Sequence, residues 1–251
     1  MPSKVSLYRD NLRQCADWPA FIRENSNLPG PRGNLELAEA VAAEGGRPQF
    51  EQLIHLDGPD IAENTPEMFV VFCGVVGLGK LIAGGQMEWT GTLRHYANDP
   101  RWRIREGCAM ALQRIGATDM NVLFELISPW AAGTRLEQRA VAAGLCEPAL
   151  LKPPEAVQHT LELLDQITAS LLNAPDLKSD NFKSLRQTLG YGWSVAAAAD
   201  FSLAQPYLEK WLQSPDGQIR WVMRENLTKK RLERAASAWT AAWRERLSAA
   251  A

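Results

Sequence analysis

Four times after residue 85 the sequence repeats one local pattern: an amphipathic helix, a tight turn, then a second helix rich in small residues. "EWTGTLRHYA" turns at "NDP" into "RWRIREGCAMALQRIG", and "MNVLFELISPWA" turns at "AGT" into "RLEQRAVAAGLCEPAL". "EAVQHTLELLDQITASLL" turns at "NAPDLKSD" into "NFKSLRQTLGYGWSVAAAA", and "LAQPYLEKWL" turns at "QSPDG" into "QIRWVMRENLTKKRLERAA". Each second helix carries an arginine near its start, Arg105, Arg139, Arg186 and Arg220, at separations of 34, 47 and 34 residues. One such pair cannot bury its own apolar face, so a period in this range calls for stacked pairs. The best two copies align without gaps at an offset of 115, which brings Pro100 onto Pro215, Ile104 onto Ile219 and Leu112 onto Leu227.

The first third follows the pattern only loosely. A helix is expected from Leu7 through Arg23 with a kink at Pro19, then a turn-rich connector, "NLPGPRGN", whose Asn34 caps "LELAEAVAAE". Gly45 and Gly46 end that helix, and "PQFEQLIHL" forms a short one. The segment "CGVVGLGKLI" (residues 73–82) contains G-x-x-x-x-G-K, the spacing of a phosphate-binding loop. Such a loop needs a preceding strand and a Ser or Thr after the lysine, and here Leu81 takes the hydroxyl's place. Thr65, Pro66 and Glu67 instead spell a helix start, so one helix is expected to run through Gly74, Gly77 and Gly79. The span from Met68 to Gly85 approaches membrane length, but Lys80 and five glycines mark it as a buried core helix.

"DPRWRIREGCAMALQRIG" (99–116) resembles the second helix of a HEAT repeat, with Asp-Pro at the turn and Ile-Arg opening the helix. The resemblance covers 85–235. It implies an all-α fold, a right-handed α-α superhelix forming a single HEAT-like repeat domain over 1–251, with divergent helices over 1–84 and a capping helix over 236–251. It also implies an internal ladder in which Asp99 pairs with Arg105 and Asp180 with Arg186. Asp216 sits two positions late for that role, and "AGTRLEQR" has no acidic residue at its turn. "QIRWVMRENLTKKR" (218–231) is similar, through Ile219, Trp221, Arg224 and Glu225, to the last repeats of the DNA alkylation-repair glycosylases. That family's Trp-Trp-Asp constellation has no counterpart here: the nearest candidate is Trp89, followed by Thr-Gly-Thr.

Charge limits the partners. The net charge is −2, which argues against a chain coated by nucleic acid, yet residues 218–246 hold eight lysines and arginines against three glutamates. Four scattered cysteines and three isolated histidines offer neither a disulfide framework nor zinc spacing, and the amino terminus has no apolar signal core. The expectation is a cytoplasmic scaffold without cofactor, metal or catalytic residues, binding a protein or peptide on the concave face built by the second helices. Its candidate binding residues are Trp102, Arg103, Arg105, Arg186, Arg220, Trp221 and Arg224. The alternative is a DNA-binding relative of the glycosylases that lacks base excision. Trp102 stands out because it occupies the exposed start of a helix, beside the turn.

Overall fold

Helix starts fall where the sequence supplies oxygen-bearing caps. Asn34, Thr65, Thr134, Ser179, Asp200 and Asp216 each accept a backbone N–H from the first turn of the helix they precede. The computed structural model describes residues 3–172 and 174–249, and among them the fold is all-α, with no strand. The chain, expected as one domain over 1–251, divides into two compact units, Met1–Asp119 and Met120–Ala251.

The first unit holds α1 (Lys4–Gln14), α2 (Trp18–Glu24), α3 (Leu35–Glu44), α4 (Arg47–His55), α5 (Pro66–Ala83), α6 (Thr90–Ala97) and α7 (Trp102–Thr118). Where one kinked helix was expected over 7–23 there are two: Asp17 caps α2 by accepting the N–H of Ala20, and Pro19 lies harmlessly in the first turn. α5 is apolar nearly all round and packs against α2, α3, α4, α6 and α7, as a central helix must. It is also the one described helix long and apolar enough to cross a membrane, and most of that length is buried in its own unit.

The glycines of α5 set those packing distances. A Cβ on Gly77 would stand 2.2 Å from the Phe50 ring of α4, and one on Gly74 2.7 Å from Ile54. On the other side Gly79 meets the backbone of α7, where a Cβ would lie 2.4 Å from the Ala111 carbonyl. Lys80 does not reach for phosphate: its Nζ donates to the carbonyls of Ala43 (2.6 Å) and Gly45 (2.7 Å), groups left open at the end of α3. The G-x-x-x-x-G-K segment is therefore uninterrupted helix, with its N–H groups committed to the turn before.

The second unit holds α8 (Met120–Ile127), α9 (Arg135–Leu145), α10 (Pro154–Ala169), α11 (Asp180–Ala199), α12 (Phe201–Leu212), α13 (Gly217–Leu227), α14 (Lys230–Ala235) and α15 (Ser237–Ala249). α11 is its centre and packs on α9, α10, α12, α13 and α14. Buried Asn226 ties α13 to it, accepting the N–H of Ser194 and donating to the carbonyls of Leu189 and Val222. The single helix expected from Gln218 to Ala236 is broken at Thr228 and Lys229. The freed Leu227 carbonyl is taken up by the Arg244 guanidinium from α15 (Nε, 2.9 Å), which makes the break affordable in hydrogen bonds. α7 likewise passes through Gly116 to Thr118 instead of ending there, because Gly116 is buried and Thr118 Oγ1 bonds back to Arg114.

Candidate binding pocket

Seven residues stood out in the sequence, and they fall in different units: Trp102, Arg103 and Arg105 open α7, whereas Arg186, Arg220, Trp221 and Arg224 lie on α11 and α13. At the start of α7 the Glu63 carboxylate accepts the N–H groups of both Trp102 (2.9 Å) and Arg103 (3.1 Å). A helix N-terminus is a ready anion site, but this one is filled by the chain's own carboxylate. Arg101, only 14% exposed, is clamped between Asp57 (2.8 Å) and Asp99 (2.6 Å), and the bond to Asp99 holds its pKa above the ordinary arginine value. A cavity of about 380 Å³ beside this cluster is lined by Asp57, Pro59, His95 and Arg101, so its charges are spent on each other.

The side-chain pairings implied by the HEAT resemblance, Asp99 with Arg105 and Asp180 with Arg186, are replaced by others. Arg105 Nη1 donates to the carbonyls of Asp99 and Pro100, both at 2.7 Å, so it meets Asp99 through its backbone while Arg101 holds the carboxylate. Asp180 pairs with Lys183, one turn away on its own helix, because its carboxylate is almost fully exposed at the helix start. Arg186 crosses instead to α13, where it donates to Gln218 Oε1 and lies 4.3 Å from the ring centroid of Trp221. Trp221 is thereby half-buried between Arg186 and Gly190. Arg220 and Arg224 are exposed, and Arg220 makes no side-chain hydrogen bond or ion pair among the described residues.

One pocket has a different character. It occupies about 190 Å³ in the first unit, and Phe69, Phe72, Leu35 and Met110 form its apolar floor. Phe69 and Phe72 stack with centroids 5.3 Å apart, held by α5 at a three-residue spacing. Two glycines admit these rings: a Cβ on Gly33 would come within 2.9 Å of Phe69, and one on Gly107 within 3.0 Å of Phe72. Trp102, Arg103, Arg32 and Glu106 stand around the mouth. Trp102 is 47% exposed although it is a large aromatic, and the Arg103 guanidinium covers one face of its ring at 4.5 Å. Arg103 is itself fixed by the carbonyl of Gly30 (3.0 Å) and Oδ1 of Asn64 (3.3 Å).

No family model, curated protein or solved structure matches this chain. The pocket supplies apolar contact and positive charge, and no nucleophile paired with a base lines it. Elsewhere His159 stacks flat on Phe124 at 4.0 Å and His95 packs edge-on to Tyr96. Burial pushes the Cys146 thiol up to about 12 and the Cys73 thiol well above its ordinary value, so neither is a ready nucleophile. Among the described residues no three His, Cys, Asp or Glu side chains are gathered where a metal could bind.

Sequence reasoning singled out Trp102 and Arg103 but missed the floor beneath them. The helix expected to start at Thr65 runs through Phe69 and Phe72, three residues apart and so on one side of it. No signal in the sequence laid the 30–33 loop against those rings.

Proposed function

We propose that this chain is a HEAT-like repeat scaffold, a right-handed superhelix of helical pairs that acts in the cytoplasm by holding a protein or peptide partner and catalyses no reaction. Packing supports the repeat reading: α6 lies on α7, α10 on α11 and α12 on α13, while second helices pack on their successors, α9 on α11 and α11 on α13. Four cysteines free of disulfides accord with a reducing compartment.

The observation that carries the binding reading is the apolar pocket beside exposed Trp102. Cofactor and drug-sized sites span about 300–1,000 Å³. A pocket of about 190 Å³ suits one anchoring side chain of a polypeptide, the arrangement that concentrates energy at protein interfaces. A photo-crosslinking residue in place of Trp102 is expected to capture a polypeptide in the native cell, and the same residue in place of exposed Leu177 is not. Equal capture at both positions would refute the assignment of the pocket.

A second reading, DNA binding without base excision, is favoured by one observation in the other unit. Arg220, Arg224, Lys230, Arg231 and Arg234 are all exposed along α13 and α14. Duplex binding through them would weaken steeply with salt. Reversing the charge of Arg220 and Arg224 together would abolish a gel shift that this reading requires.

A further inference from the structure

The identity of the anchor can be taken further, on the assumption that the pocket does take a polypeptide side chain. We propose that its ligand is an acidic peptide: an aromatic or large aliphatic side chain in the pocket, with a carboxylate on an adjacent residue held at the rim by Arg32.

The floor of Phe69, Phe72, Leu35 and Met110 calls for an apolar anchor. The open face of Trp102 offers an aromatic ring a stacking surface, since Arg103 covers the other. The rim selects the flanking charge. Arg32 and Arg103 face a single lining carboxylate, that of Glu106. Arg32 is exposed and has no ion pair among the described residues. The Arg103 guanidinium donates to neutral oxygens, those of Gly30 and Asn64, while the neighbouring Glu63 carboxylate is engaged by the backbone N–H groups of Trp102 and Arg103, which leaves Arg32 as the rim's open cation. A phosphate-bearing ligand fits less well, because the donors at the start of α7 are already taken by Glu63 and the floor is apolar.

The loop that presents Arg32 is held before any ligand arrives. Asn34, almost fully buried, donates to Tyr8 Oη and to the Asn25 carbonyl, both at 2.8 Å, and its own N–H is taken by the Ser26 carbonyl. On the far side the Gly30 N–H donates to Asn64 Oδ1. A rim positioned in this way loses little freedom on binding.

The test uses the full chain and blocked dipeptides, acetyl-Phe-Glu-amide, acetyl-Phe-Gln-amide, acetyl-Phe-Lys-amide and acetyl-Ala-Glu-amide, titrated while the indole N–H resonance of Trp102 is followed, assigned with Trp102→Phe. The Phe-Glu probe is expected to bind about 1.5-fold to fivefold more tightly than Phe-Gln, the gain of one exposed ion pair. Phe-Lys should be the weakest of the Phe probes, and Ala-Glu should not bind. Arg32→Gln, at an exposed position that leaves the circular dichroism unchanged, should erase the Glu–Gln difference while preserving Phe-Gln binding. Equal affinity for Phe-Glu and Phe-Gln in the natural chain, or a preference for Phe-Lys, overturns the acidic ligand and leaves the peptide reading standing. Failure of every Phe probe to bind overturns the pocket's peptide role itself, and the inference with it.

Discussion

Gly79 and Gly91 are both helical glycines, and propensity alone would favour alanine at each by up to about 1 kcal/mol. The surroundings decide otherwise at one of them. A Cβ on Gly91 meets nothing within 4 Å, whereas one on Gly79 would press 2.4 Å from a backbone carbonyl of α7, which cannot swing aside. Gly91→Ala is therefore expected to stabilise by about 0.5 kcal/mol, and Gly79→Ala to destabilise by about 1–3 kcal/mol, the usual cost of overpacking. Urea unfolding midpoints measure both, and a stabilising Gly79→Ala would contradict the close approach of α5 to α7. The glycines that look like a phosphate loop in the sequence are thus contact points between helices.

Among the elements, α1 takes its charged attachment to α3 from one carboxylate. Arg13 and Arg9 both donate to Glu44, the last residue of α3, and these bonds, Arg13's the larger influence, hold the Glu44 pKa at about 2. Because the folded-state pKa is lowered, the stabilisation is complete above the ordinary carboxylate value near 4.5 and is lost as pH falls toward about 2. Amide protection factors, which correct for the intrinsic pH dependence of exchange, should fall in α1 over that window more than in α5. Glu44→Gln should remove the extra acid sensitivity, and an unchanged acid profile in that variant would show that the attachment lies elsewhere. Such a tie joins residues 31 positions apart, so the helix was legible in the sequence and its anchor was not.

At the scale of the whole molecule, each compact unit has its own fully buried helix contacts, centred on α5 in Met1–Asp119 and on α11 in Met120–Ala251. A chain of residues 1–119 is expected to keep its helical circular dichroism and to melt in one cooperative transition. A broad, non-cooperative melt would show that the first unit does not stand alone. The pocket's floor and rim all lie within that unit, so the isolated piece should also retain the Trp102 resonance shift seen with the Phe-Glu probe.

What the sequence by itself determined was local. Caps such as Asn34 and Thr65 act on the N–H groups three residues away, and helical periodicity needs only the neighbouring turns, so helix class and most helix starts were readable. Only the tertiary structure decided where the long, adaptable side chains went. Lys80 found the end of α3, Glu63 the start of α7, and Arg186 found Gln218 and Trp221 where an aspartate had been expected. The same holds for the pocket: Phe69 and Phe72 were set on one helix by spacing, but a loop brought Arg32 and Gly33 beside them from more than thirty residues away. Such pairings depend on which surfaces meet after the chain has folded, and no local rule encodes them.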